Sequence, residues 1–92
     1  MRSRYTAFAL GDEAYLLESW HSSTRPRALA LDPTQRWVGL TVSGTTGGGL
    51  FDNEGTVAFE ARYEQGSRRS SVRENSRFVR EDGAWRYLDA IA

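Results

Sequence analysis

The second half of the chain alternates between apolar and polar side chains, and this period of two constrains the fold more than any other feature. Phe59, Ala61 and Tyr63 alternate with charged neighbours, which is typical of a β-strand with one buried face. Asp82-Gly83 interrupts a later run with the residue pair that favours a two-residue hairpin turn. The sequence therefore predicts antiparallel strands that share one apolar face.

Four strands are predicted after residue 36. Val38, Leu40 and Val42 alternate in the first strand, and the Gly-rich segment 45–55, "TTGGGLFDNEG", then forms a long hairpin loop. The other strands are predicted at residues 57–64, 70–81 and 85–89. Successive side chains of a strand point to opposite faces, so Trp37, next to Val38, is expected to face away from the apolar side. It could instead close the rim of the sheet, and both placements stay open.

The beginning of the chain follows a helical period instead. Apolar residues recur at helical spacing from Met1 to Phe8, and Gly11 is expected to end this helix. Asp12 can cap a second short helix that runs through about His21. The pattern predicts an α+β fold with residues 1–92 as a single domain, in which two N-terminal helices pack on one face of a curved four-stranded antiparallel sheet.

The two tight turns set the register of the last three strands. A turn at Gly66-Ser67 places Phe59 opposite Glu74, with opposite charges facing each other on the outer side of the sheet. The turn at Asp82-Gly83 places Ser76 opposite Asp89. We therefore expect one face to carry a set of aromatic residues beneath Leu16 and Trp20, namely Phe59, Tyr63, Phe78, Trp85 and Tyr87.

Glu74, Ser76 and Asp89 form a polar patch on this otherwise apolar face, and the patch is the main candidate for a functional site. Burial among aromatic groups raises the pKa of a carboxyl, which is the usual device for a general acid or base. The structural alternative is that a cation neutralises Glu74. Arg4, ahead of Arg2, is the expected hydrogen-bond partner.

His21 is the only histidine. It is either an alternative partner of Glu74, a catalytic base beside a carboxylate, or a cation at a helix C-terminus. No residue is assigned a catalytic role. The candidate cavity residues share the predicted inner face or the helices that cover it, and they are Arg4, Tyr5, Trp20, His21, Phe59, Tyr63, Glu74, Ser76, Tyr87 and Asp89.

Composition narrows the classes of partner. The 12 basic residues, all Arg, balance the 12 acidic ones, so no overall field favours nucleic acid or an anionic membrane. The sequence has no cysteine, which fits a reducing cytoplasm, and we expect a cytoplasmic protein. One histidine without cysteine cannot form a closed tetrahedral zinc site, so we expect no structural metal and no cofactor.

The sequence resembles the YchJ-type family, whose core is a nuclear-transport-factor-2-like domain. The resemblance is carried by stretches that span nearly the whole chain: "MRSRYTAF", "YLLESWH", "RWVGL", "TVAFEARY", "ENSRFVREDG" and "WRYLD". It implies a cystatin-like architecture in which a curved antiparallel sheet wraps around helices and encloses a cone-shaped cavity. It implies no particular activity.

The sequence departs from the family pattern at several places. Family members carry a Cys-rich, zinc-binding SEC-C motif before this domain, and this sequence has none. Arg73 stands where the family commonly has His, and Ala90 stands where it commonly has Gly. These departures weaken any expectation of a metal-dependent role.

Three functions are compatible with the sequence. The first is a small-ligand or accessory binding module that uses the cavity. The second is a module for homodimerisation or protein docking, which would need apolar residues on the outer face, where Val79, Leu88 and Ala90 are available. The third is a cofactor-free isomerase or hydrolase that uses a cavity carboxylate, and fold alone does not choose among them.

Overall fold

The computed structural model describes residues 1–91 and confirms the predicted α+β fold. Two short helices precede a four-stranded antiparallel sheet in which neighbouring strands follow chain order. The elements are α1 (Arg2–Leu10), α2 (Glu13–Glu18), β1 (Gln35–Gly47), β2 (Glu54–Gln65), β3 (Arg68–Glu81) and β4 (Ala84–Ala90).

Both helices begin and end for local reasons. Gly11 has φ 69°, the left-handed conformation that ends a helix without a steric penalty. The Asp12 side chain accepts a hydrogen bond of 3.1 Å from the Tyr15 amide and caps α2. The expected continuation to His21 is wrong, because the backbone beyond Glu18 pairs with β4 instead.

The segment after α2 covers the edge of β4 that pairs with no other strand of the sheet. The Tyr87 amide donates to the Ser19 carbonyl at 2.8 Å, and the His21 amide donates to the Tyr87 carbonyl at 2.7 Å. Thr24 Oγ1 adds a hydrogen bond of 2.7 Å to the Leu88 carbonyl. These bonds satisfy backbone groups that an edge strand would leave open, and they place Trp20 against the inner face.

The predicted register between β2 and β3 is confirmed. Phe59 lies opposite Glu74, and Glu60 lies opposite Arg73. The turn consists of Gly66 and Ser67 alone, and Gln65 already pairs with Arg68. Strand β3 therefore begins at Arg68, two residues earlier than predicted. The Glu60–Arg73 pair is also an ion pair of 2.8 Å on the outer face, so charge and turn geometry favour the same pairing.

A β-bulge alters the register at the end of β4. Phe78 pairs with Tyr87 as predicted, but Asp89 pairs with Arg77 and not with Ser76, whose partner is Ala90. Leu88 is the extra residue in the bulge, and it moves Asp89 to the outer face. The predicted Ser76–Asp89 pair is therefore wrong.

Two more bulges shape β1. One of them places Trp37 opposite Tyr63 on the inner face and leaves Val38 47% exposed on the outer side. Trp37 thus faces inward, against the parity of an unbroken strand, and Val38 does not share a face with Leu40. The expected loop at 45–55 is also shorter, because β1 continues to Gly47 and pairs with the start of β2.

These pairings confirm that the predicted aromatic residues share the inner face, and the helices pack on it. Trp37 joins α1 to the sheet through ring contacts with Tyr5, Phe8 and Tyr63, at centroid distances of 6.4, 6.2 and 5.1 Å. Trp20 packs edge-on against Tyr87 at 5.0 Å. The most deeply buried apolar residues are few: Ala7, Leu16, Phe59 and Ala61.

The outer face of the sheet is charged. Ion pairs join Glu60 to Arg73 and Arg62, and Asp89 to Arg77. These pairs are largely exposed, so each contributes little to stability. Within residues 1–91, no helix combines the length and the apolar character needed to cross a bilayer.

Replacing Gly55 with alanine should destabilise the fold. A Cβ at this buried position would lie 2.9 Å from the Gly48 amide nitrogen and 3.1 Å from the Thr46 carbonyl oxygen, so the hairpin backbone would have to move. We expect Gly55→Ala to lower the free energy of unfolding by about 1–3 kcal/mol, measured by urea denaturation.

Gly44→Ala is the matched control. It lies in a bulge of the same hairpin, and nothing is within 4 Å of its Cβ position. We expect its effect to stay within about 0.5 kcal/mol of the parent protein. Equal effects of the two substitutions would show that backbone proximity at Gly55 does not matter.

Candidate functional site

A cavity of about 290 Å³ lies between α1 and the inner face of the sheet. Its volume is close to the lower end of the ~300–1,000 Å³ range of small-molecule sites. Its wall is mostly aromatic and aliphatic, with a few polar groups. The lining residues are Met1, Arg4, Tyr5, Phe8, Trp20, Trp37, Phe59, Ala61, Val72, Glu74, Ser76 and Tyr87.

Arg4 is the buried cation of this wall, with only 5% of its surface exposed. Its Nη1 donates to the Leu16 carbonyl at 2.9 Å and to Ser19 Oγ at 2.6 Å. Its Cζ lies 4.7 Å from the ring centroid of Tyr87 and 5.2 Å from that of Trp20. The carbonyl and the two aromatic rings partly replace the water that burial removes.

Burial has the expected electrostatic effect on the groups around Arg4. Loss of solvent lowers the pKa of the guanidinium, and the neighbouring Tyr87, Tyr15 and Glu74 oppose this shift. Burial raises the pKa of Tyr87, and the charge of Glu74 raises it further. Both shifts indicate that Arg4 and Tyr87 are partly removed from solvent and that the charge of Glu74 acts on both of them.

Glu74 and Ser76 form the acidic part of the wall. They lie two residues apart on β3, so both side chains point to the inner face. Ser76 is 1% exposed, and its Oγ donates a hydrogen bond to Oε2 of the half-buried Glu74. Among the described residues, no hydrogen bond reaches Oε1 of Glu74.

The expected hydrogen bond between Arg4 and Glu74 is not formed. The ion pairs of residues 1–91 do not include this pair, nor one between Glu74 and Arg2 or His21. The reason is geometric, because the C-terminal end of α2 lies beside Arg4, where the Leu16 carbonyl and the Ser19 hydroxyl accept from Nη1. The cavity therefore holds a cation and a carboxylate that are not joined to each other.

Three predicted cavity residues lie outside the cavity. Asp89 is on the outer face because of the β4 bulge, and it accepts two hydrogen bonds from Arg77, at 3.0 and 2.8 Å. His21 lies at the edge of β4, where its amide donates to the Tyr87 carbonyl, and its Nε2 is 3.7 Å from the Glu81 carboxylate. Tyr63 is on the inner face, but it packs against Trp37, which stands between it and the cavity residues of α1.

Five lining residues were absent from the predicted set: Met1, Phe8, Trp37, Ala61 and Val72. Parity along β2 and β3 could have identified Ala61 and Val72, which lie opposite each other beside the Phe59–Glu74 pair. The helical spacing could have identified Phe8. Trp37 had no such signal, because a bulge reverses its orientation.

The polar groups of the cavity support binding chemistry more directly than metal chemistry. Residues 1–91 contain no group of three or more potential metal ligands that are close together. The guanidinium and the carboxylate offer hydrogen-bond donors and acceptors in a wall that is otherwise apolar. Such a wall can orient a small molecule by a few polar contacts.

Arg4→Met should destabilise the protein although it removes a buried charge. The substitution removes the charged donor of the Leu16 carbonyl, which keeps only the longer hydrogen bond of 3.3 Å from Ser19 Oγ, and it removes the cation from two aromatic rings. We expect the free energy of unfolding to fall by about 1–3 kcal/mol, measured by urea denaturation followed by circular dichroism.

Arg2→Met provides the control on the same helix. Arg2 is exposed, and its replacement should change stability by no more than about 0.5 kcal/mol. If Arg4→Met were as stable as Arg2→Met, the free energy that the guanidinium gains from its contacts would not exceed the free-energy cost of burying its charge.

Comparisons with known proteins agree with this geometry. A family model described as the YchJ middle NTF2-like domain matches residues 1–90. A UPF0225 protein of Streptomyces coelicolor is 53% identical over 89 residues, which cover 97% of this chain and 68% of the relative. For the UPF0225 protein of Streptomyces avermitilis the identity is 52%, and the chain spans 61% of its length.

A solved structure shows the same fold. The solution structure of a SEC-C motif containing protein from Rhodopseudomonas palustris superposes with a TM-score of 0.84 at 31% identity, and the match covers 100% of this chain and 74% of that protein. The matched family model, the identity of about one half and the shared architecture lead to one conclusion: this chain belongs to the YchJ family, as its middle NTF2-like domain.

Proposed function

We propose that this domain binds a small, mainly apolar molecule in the cavity between α1 and the sheet. The observation that carries the proposal is the composition of the wall, in which aromatic rings surround a guanidinium and a carboxylate that do not pair with each other. Sites for small molecules typically combine an apolar wall with a few polar groups that set orientation. Because the chain spans only part of its relatives, the proposal concerns this domain and not the whole proteins.

The charged outer face gives less support to protein docking through the sheet. Its side chains are engaged in ion pairs such as Arg77–Asp89, and Ala90, which was expected there, lies opposite Ser76, whose side chain is on the inner face. Docking interfaces have cores that are depleted of charge. The inner cavity is therefore the better supported candidate.

Filling the cavity should abolish binding without unfolding the protein. Ala61 lies in the wall of the cavity and points to the inner face of β2, so Ala61→Leu places three additional carbon atoms in the binding space. We expect saturation-transfer NMR to detect binding of neutral aromatic fragments, such as indole and phenol, to the parent protein. The signal should be lost in Ala61→Leu.

Ala58→Leu is the matched control for this experiment. It makes the same change on the same strand, but residue 58 lies opposite Asn75 on the outer face. Binding should persist in this variant. Equal binding by both variants, or no binding of any fragment to the parent at millimolar concentration, would contradict a ligand site in this cavity.

Catalysis by Glu74 is a second candidate, and one specific observation favours it. The carboxylate lines an apolar cavity without a cation at ion-pair distance among the described residues, which is the setting expected of a general base. A base in this position would catalyse exchange of the α-hydrogens of a bound cyclic ketone in D₂O. Glu74→Gln should abolish this exchange while the ketone still binds. Exchange at the uncatalysed rate in the presence of the parent protein would contradict a catalytic role of Glu74.

A further inference from the structure

We propose that the cavity selects an uncharged aromatic molecule that carries a carboxamide, or the same C=O and N–H pair within a ring. Anions and cations of the same size would bind more weakly. This inference rests on the proposed function, because it names the ligand class of the same site. It follows from the charges, the free hydrogen-bonding capacity and the volume of the cavity.

The charges of the wall oppose each other. Arg4 and Glu74 are the ionisable side chains of the lining that are charged at neutral pH, and no ion pair joins them within the described residues. An anionic ligand that approaches the guanidinium also meets the carboxylate, and a cationic ligand that approaches the carboxylate also meets the guanidinium. Because Arg4 is buried, each such repulsion is stronger at this site than in bulk water.

The hydrogen-bonding capacity of the two groups is complementary to an amide. A guanidinium has five N–H donors, and the hydrogen bonds of Arg4 within residues 1–91 use Nη1 alone. The carboxylate of Glu74 accepts from Ser76 and can accept more. A carboxamide supplies an acceptor for Arg4 and a donor for Glu74 without carrying a charge of its own.

The remainder of the wall favours a single flat ring. Phe8, Trp37 and Phe59 contribute aromatic surface, whereas the rings of Trp20 and Tyr87 lie beside the Arg4 guanidinium. A volume of about 290 Å³ holds roughly ten water molecules at their liquid volume of ~30 Å³ each. A one-ring amide fits within this volume. A zwitterionic amino acid also carries a donor and an acceptor, but both of its charges would have to be desolvated.

The test compares three probes of nearly equal shape: benzamide, benzoate and benzylammonium. Dissociation constants come from ¹H–¹⁵N NMR titrations at pH 7 with the full chain, and shifts at lining residues locate the site. We expect benzamide to bind at least about fivefold more tightly than either ion. Phenylalanine, as the zwitterion, should bind more weakly than benzamide.

Glu74→Gln tests the origin of this preference. The substitution keeps the shape of the side chain and a hydrogen-bond partner for Ser76 but removes the negative charge. Benzoate should then bind at least about fivefold more tightly than it binds the parent. Glu60→Gln makes the same chemical change on the outer face, where Glu60 pairs with Arg73, and it should leave the ranking of the probes unchanged.

A further control concerns the α-amino group of Met1, since Met1 also lines the cavity. Burial, followed by the charges of Arg4 and Arg2, lowers the pKa of this amine. The titrations are therefore repeated with the amine acetylated, which removes its charge. The ranking of benzamide above both ions should persist.

The outcomes separate the ligand class from the proposed function. If benzoate or benzylammonium binds the cavity of the parent more tightly than benzamide, the ligand class is wrong and the binding function stands. If none of the probes shifts the lining residues, the proposed function fails as well. The ranking of the probes by the unmodified protein tests the ligand class even if Glu74→Gln does not fold. If Glu74→Gln and Glu60→Gln change the affinity for benzoate equally, the charge of Glu74 is not the origin of the preference.

Discussion

The buried guanidinium of Arg4 holds the helices to the sheet. From α1 it reaches the Leu16 carbonyl of α2 and lies beside Tyr87 of β4, so one side chain links its own helix to two other elements. A charge in a protein interior is costly unless its donors and its field are satisfied. Here a carbonyl, a hydroxyl and two aromatic rings contribute this compensation, and among residues 1–91 no carboxylate forms an ion pair with Arg4. Removal of any of them would leave the cation less well solvated.

The cavity follows from the way α1 is supported. At one side Trp37 holds the helix through Tyr5 and Phe8, and at the other Arg4 holds it against Tyr87 and Trp20. Between these two supports the sheet presents the small Ala61 and the partly exposed Val72. Large side chains at the two supports and small ones between them leave a cavity that is partly open to solvent. The same contacts that stabilise the fold thus define the volume of the site.

The sequence predicted those parts of the structure that depend on pairs of residues close in the chain. The β2–β3 register could be derived because a two-residue turn and cross-strand charges such as Glu60–Arg73 agree. Arg4 and Glu74 were correctly identified as inner residues for the same reason, from helical and strand periodicity. Their predicted hydrogen bond is not formed, because α2 lies beside Arg4 and supplies the acceptor instead. Neither the helical period nor the strand period of the sequence specifies how α2 lies relative to α1.

The bulges account for the errors in which way the strand side chains face. A bulge adds one residue to a strand and reverses the orientation of all residues that follow. Val38 and Leu88 lie at such bulges, and neither residue type is a sequence signal for one. As a result, parity failed to place Trp37 on the inner face and wrongly placed Asp89 there. Both errors affect the site more than the fold, because the strands and their order are unchanged.

The bulge in β4 also determines the charge of the cavity. In an unbroken strand Asp89 would lie opposite Ser76 on the inner face, close to Glu74, and two carboxylates would share one apolar wall. Like charges in such a setting disfavour each other's ionisation. The extra residue Leu88 instead directs Asp89 outward, where it pairs with Arg77. Glu74 is therefore the single carboxylate among the lining residues, and its charge balances that of Arg4.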